Sequence, residues 1–253
     1  MTAYDIIIQG GQSNAAGYGV GPVTNEYEPC EEIVYLDKVK LLGDNRGGEE
    51  KPFVIHMAEE RFADEEKTLG DFSLTFSKKY MESGKLQVGR KILIVRAAVP
   101  SVGFQTGHWG IRAPLHKEMI KMTDYALSLN PENKVVGFLW HQGETDAVER
   151  NIPANYKKQL LETVFDVRQR YGNMPFIVGD FVSEWKSLNL DICEPIINVI
   201  KEVVVEVKNS AFIETVDLLS NNQVVKNEDN IHFSKESLHI LGERYFEAFE
   251  KIL

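Results

Sequence analysis

The sequence predicts an α/β fold, a three-layer doubly wound sheet of about five parallel strands with helices on both faces. Two observations carry that prediction. The apolar runs are short, rich in β-branched residues and nearly continuous, as in strands buried on both faces. Stretches of helical period separate them, and alternation of strand and helix is the doubly wound pattern. The 253 residues contain no linker, repeat or low-complexity tract. They are enough to bury a full core, so residues 1–253 read as one domain.

Residues 6–9 form the first strand, and 33–36 an additional short one. Lys91-Ile92-Leu93-Ile94-Val95-Arg96 is the second main strand and residues 135–140 the third. Residues 176–179 and 211–215 are the fourth and fifth. Tyr156, Leu160, Val164, Val167 and Tyr171 recur at helical spacing behind Pro153, a residue suited to a first helical turn. In the last helix Leu238, Leu241, Tyr245, Phe249 and Ile252 share a face, with Ser234 placed as N-cap. Residues 196–207 have helical spacing, yet their valines and isoleucines also suit a strand. Both readings stay open there.

Composition removes several function classes. With 38 acidic against 28 basic residues the net charge is −10. Nucleic-acid binding needs a basic face, and a polybasic membrane anchor needs the same, so neither partner is expected. No apolar run approaches the roughly 18 residues of a spanning helix. The start Met1-Thr2-Ala3-Tyr4-Asp5 lacks the basic and apolar regions of a signal peptide. Cys30 and Cys193 make neither a disulfide framework nor a cysteine metal site. The expectation is a cytoplasmic protein.

Doubly wound sheets bind ligands at the carboxyl ends of their strands, and three such ends are chemically dense. After the first strand comes Gly10-Gly11-Gln12-Ser13-Asn14-Ala15-Ala16-Gly17. Glycines permit a sharp turn, and a serine in it is exposed as a nucleophile must be; an ordinary tight turn accounts equally well for the segment alone. A dinucleotide site is disfavoured, since the Gly-x-Gly-x-x-Gly spacing is absent and Pro22 and Pro29 interrupt the helix it would need. After the third strand comes Trp140-His141-Gln142-Gly143-Glu144-Thr145-Asp146. Gln142 offers a neutral amide donor suited to an oxyanion, while Asp146 reads as a structural partner of the turn. His141 lacks the second clustered histidine of a metal site, so no metal is expected. Before the last helix comes Asp229-Asn230-Ile231-His232. An acid three residues before a histidine can fold back to accept its Nδ1–H, leaving Nε2 as a base. His56, His108, His116 and His239 read as ordinary histidines, although His108 and Trp109 could line a pocket.

Together the three ends supply nucleophile, base, orienting acid and oxyanion donor. Gly11-Gln12-Ser13-Asn14, the 140–146 block and Asp229-x-x-His232 resemble, in order and across the whole chain, the sialate O-acetylesterase and acetylxylan esterase family of the SGNH hydrolases, which have a flavodoxin-like architecture. The resemblance implies a serine esterase that removes acetyl groups from carbohydrates without cofactor or metal. It casts Ser13 as nucleophile, His232 as base and Asp229 as its orienting acid. Gln12, Asn14 and Glu144 would support the site. The oxyanion would be held by the Ser13 N–H, the Gln142 side chain and an N–H from the loop after the second strand. That loop departs from the family's Gly-Gly-Thr-like turn: it reads Ala98-Val99-Pro100-Ser101-Val102-Gly103-Phe104, and Pro100 has no N–H. Gly103 is the expected donor because glycine permits close approach, with Ser101 the alternative. Asp217 is too distant from His232 in sequence for a local turn.

A general carboxylester hydrolase and a catalytically silent carbohydrate-binding domain share this fold class. The intact Ser13, Asp229 and His232 set disfavours the silent domain, and the lack of a long apolar lid disfavours a lipase. The loop Phe104-Gln105-Thr106-Gly107-His108-Trp109 suits stacking on a sugar face, as it also suits core packing.

Overall fold

The computed structural model describes residues 2–38, 53–64 and 67–253. In chain order the elements are β1 (Ala3–Gly11), α1 (Ser13–Ala16), β2 (Ile33–Lys38), β3 (Phe53–Met57), β4 (Arg61–Asp64), β5 (Lys67–Leu69), α2 (Phe72–Glu82) and β6 (Arg90–Ala98). They continue with α3 (Pro114–Ser128), β7 (Lys134–His141), α4 (Glu144–Val148), α5 (Pro153–Tyr171), β8 (Phe176–Gly179) and α6 (Ser183–Leu188). The last are α7 (Leu190–Glu206), β9 (Ser210–Ile213), α8 (Asn221–Val225) and α9 (Lys235–Ile252).

Seven strands form one sheet in the order β3-β2-β6-β1-β7-β8-β9. Every neighbouring pair in it is parallel except β2–β3. The doubly wound α/β expectation holds, with a wider sheet than expected. The extra strand at 33–36 is real and pairs parallel with β6. Beyond it lies β3, whose alternately half-buried and exposed residues belong to an edge strand that lacks the continuous apolar run of the others. A separate antiparallel pair, β4–β5, was not foreseen either.

Residues 196–207 resolve as helix. In α7 Cys193, Ile196, Ile200 and Val203 are buried on one stripe, so tertiary burial at 3.6-residue period outweighs the small helix penalty of β-branching. The predicted N-cap is also in place: Ser234 accepts from the Ser237 N–H at the start of α9. Helix α2 packs with α9 and α5 with α7, and α3 covers a second apolar cluster containing Ile6, Leu36, Leu93 and Val95.

β1 is the point where the winding changes direction, flanked by β6 on one side and β7 on the other. The carboxyl ends of these three strands therefore open into the crevice where doubly wound sheets bind ligands.

Candidate active site

The site begins where β1 meets α1. Gly11 has φ +144°, and a Cβ there would lie 2.1 Å from the His141 carbonyl oxygen, so only glycine allows the two strand ends to come this close. The Gln12 N–H then donates to that carbonyl at 3.0 Å. Ser13 follows as the first residue of α1 and is buried, 5% exposed, where the turn in the sequence predicts an exposed serine. In a first turn its backbone N–H has no intrahelical acceptor.

Asn14 joins all three motif segments. Its Nδ2 donates to Glu144 Oε1 at 2.8 Å and to the Ile231 carbonyl at 3.1 Å, and its Oδ1 accepts from the Phe233 N–H at 3.1 Å. The residue next to Ser13 thus grips the chain on both sides of His232. His232 Nδ1 lies 2.9 Å from each Asp229 carboxylate oxygen, the local fold-back expected from the Asp-x-x-His spacing. Burial raises the Asp229 carboxyl, but hydrogen bonds from His232 and Asn221 outweigh it and hold the group below its ordinary range. Among the described residues no hydrogen bond joins the Ser13 hydroxyl to His232; such contacts commonly tighten only around substrate.

Sequence reasoning missed Asn221. Buried at the start of α8, it donates to Asp229 Oδ2 at 2.8 Å and to the Tyr18 carbonyl at 3.0 Å, and accepts from the Val20 N–H at 2.8 Å. It ties Asp229 to the chain that follows α1. Its own sequence neighbours carry no signal for this, because the contact spans about two hundred residues.

Asp146 is structural, as expected, and its role is specific. Its carboxylate accepts from the N–H groups of Phe104 and Gln105 at 3.0 and 2.8 Å, from Asn151 at 2.7 Å and from Gln142 Nε2 at 2.6 Å. It pins the loop after β6 beside the end of β7. Gln142 uses its other hydrogen only weakly, toward Gln12 Oε1 at 3.3 Å and the Val102 carbonyl at 3.4 Å. Gln12 Oε1 also accepts from the Thr145 N–H at 3.1 Å.

Gly103, the expected second-loop donor, has its N–H engaged: it donates to Thr106 Oγ1 at 2.9 Å. Glycine is required for a different reason, since a Cβ would lie 2.3 Å from Asp146 Oδ2 and 3.0 Å from Gln142 Nε2. The alternative donor, Ser101, is exposed at a positive φ of 59°. The two large aromatics of the 104–109 loop are core: Phe104 is 3% and Trp109 1% exposed, and Trp109 donates to the Gly11 carbonyl at 3.1 Å and packs edge-on to Trp140. His108 is exposed.

Glu144 and His141 lie buried beneath this layer, 3.6 Å apart. Burial pushes the Glu144 carboxyl up and the His141 imidazole down to about 3, so His141 is neutral. Among the described residues no group of histidine, cysteine and carboxylate side chains could hold a metal ion, and no helix is long and apolar enough to cross a membrane.

Ser13 at the end of the central strand, the His232–Asp229 pair on the approach to the last helix, and Asn14 bonded to the chain on either side of His232 lie on the doubly wound sheet of an α/β protein. The chain belongs to the carbohydrate esterase, sialic acid-specific acetylesterase family, whose model matches residues 3–251. A stretch of 88 residues is 29% identical to the Escherichia coli (strain K12) probable 9-O-acetyl-N-acetylneuraminic acid deacetylase, covering 31% of this chain and 27% of that protein. Among solved structures the chain resembles NanS, with a TM-score of 0.79 at 18% identity over 99% of this chain and 98% of that one. A protein from Arabidopsis thaliana is similar at a TM-score of 0.71 and 18% identity, covering 99% of both chains.

Proposed function

We propose that residues 1–253 act as one catalytic domain, a serine esterase that removes O-acetyl groups from carbohydrates of the sialic acid or xylo-oligosaccharide type. The observation that carries the reading is the grip of Asn14, adjacent to Ser13, on the peptide either side of His232. It makes nucleophile and base one rigid unit. Family membership supplies the substrate class, and the E. coli relative's name points to an acetylated sialic acid. The two free cysteines, Cys30 and Cys193, fit a reducing, cytoplasmic compartment; recovery of the protein outside the cell membrane on fractionation overturns that placement.

Ser13 Oγ attacks the acetyl carbonyl carbon as His232 Nε2 takes the hydroxyl proton. Asp229, held ionised by its hydrogen bonds, fixes the Nδ1–H tautomer and stabilises the imidazolium. The oxyanion is held by the Ser13 N–H and by the weakly engaged hydrogen of Gln142 Nε2, each such donor worth about 3 kcal/mol in the transition state. His232 then gives its proton to the departing sugar hydroxyl. A water deprotonated by His232 attacks the acetyl-enzyme, releasing acetate and restoring Ser13.

The test is acetate release from p-nitrophenyl acetate at neutral pH by the wild type, Ser13→Ala and His232→Ala. Loss of at least about 10³-fold in both variants is expected. Activity surviving Ser13→Ala overturns the assignment of the nucleophile. A panel of O-acetylated sialic acids and acetylated xylo-oligosaccharides then ranks the substrates by kcat/KM.

A further inference from the structure

Tyr18, half-buried just beyond the nucleophile helix, has no part in the chemistry above. Its ring lies on the face of the His232 imidazole, with centroids 5.4 Å apart and planes inclined by 28°. The Arg61 guanidinium lies over the same tyrosine ring, 5.5 Å from its centroid. Arg61 also donates to the carbonyls of Ala16 and Gly17, and Ala16 ends the short helix that Ser13 begins. One guanidinium from β4 therefore holds both the far end of the nucleophile's helix and the ring that lies on the base.

The Asp229 carboxylate restrains His232 from the Nδ1 side, in the plane of the imidazole. A hydrogen bond of that kind tolerates tilt of the ring about its own direction, and such tilt swings Nε2 out of the plane that the Asp229 contact defines. A flat ring against the imidazole face removes that freedom. When His232 takes up a proton, the electron-rich face of the tyrosine also favours the resulting cation.

We propose that Tyr18 is a positioning residue that holds the His232 imidazole in its productive plane, with Arg61 bracing Tyr18 from β4. This rests on the reading of His232 as the base. The Tyr18 hydroxyl is not required; the flat aromatic face is.

The experiment compares kcat and KM for p-nitrophenyl acetate, with melting temperatures, in the wild type, Tyr18→Phe, Tyr18→Leu, Tyr18→Met and His232→Ala. Tyr18→Phe keeps the face and retains wild-type kcat. Tyr18→Leu and Tyr18→Met keep apolar bulk without the face, and their kcat falls about tenfold to hundredfold with KM unchanged. Wild-type kcat in folded Tyr18→Leu or Tyr18→Met overturns the proposal. So does a loss confined to KM, which would put the ring against substrate, or a Tyr18→Phe variant as poor as Tyr18→Leu. Activity surviving His232→Ala instead removes the base assignment on which the proposal stands. A readout independent of turnover is the proton spectrum of the His232 ring. Upfield ring-current shifts shared by the wild type and Tyr18→Phe are expected, and their absence from the wild type overturns the stacking itself.

Discussion

At the scale of single residues, Glu144 shows most clearly how burial sets chemistry. Its carboxyl is fully buried, receives one hydrogen bond from Asn14, and has a second oxygen without a partner among the described residues. Burial raises its folded-state pKa, so the folded protein keeps a proton that the unfolded chain releases near the ordinary value of about 4.3. Above that value the folded state binds more protons, and stability falls as pH rises until the folded group ionises as well. Glu144→Gln keeps an oxygen for Asn14 and removes the titration. Its melting temperature relative to wild type is expected to rise from pH 4 to pH 8. A difference that is flat or opposite in sign across that range would show that Glu144 is ionised in the fold.

At the scale of elements, the loop from Val99 to Thr106 owes its position to one side chain. Four donors converge on Asp146, two of them backbone N–H groups of that loop. Asp146→Ala strands those donors in a buried region, at a cost of about 3 kcal/mol, and frees the Gln142 amide from its strongest partner. Chemical denaturation is expected to show that loss, and if Gln142 is the oxyanion donor proposed above, kcat falls more than KM rises. Full stability in Asp146→Ala would mean that packing of Phe104 and Trp109 alone holds the loop. The same element explains why Gly103 is glycine: it passes beneath the Asp146 carboxylate with no room for a side chain.

At the scale of the whole molecule, the site exists because β1 runs between β6 and β7 and all three release their chains at one edge. Gly11 is the closest point of that convergence. Gly11→Ala combines a positive φ with a backbone collision, and relief requires the β1 and β7 ends to part. Destabilisation by about 3 kcal/mol or more is expected, read as a drop in the denaturation midpoint and in soluble yield. A stable, active Gly11→Ala protein would show that the strand ends can separate without loss of the site.

The local patterns in the sequence determined a great deal. Runs such as Lys91-Ile92-Leu93-Ile94-Val95-Arg96 announce buried parallel strands because nothing but burial on both faces accounts for them. The Asp229–His232 pair was legible because three residues of one chain turn are enough to form it. What only the tertiary structure decided lies where local period and spacing carry no signal, most often because the partners are far apart in sequence. The helical state of residues 196–207 was settled by which side chains found the core. The engagement of the Gly103 N–H by the Thr106 hydroxyl depends on a rotamer that no pattern encodes. Asn221 against Asp229 and Val20, Tyr18 against His232, and Arg61 against the end of α1 depend on three separate chain segments meeting. A sequence displays local period and spacing because these repeat along one chain. It is silent on such meetings because their geometry is fixed by the packing of the entire sheet.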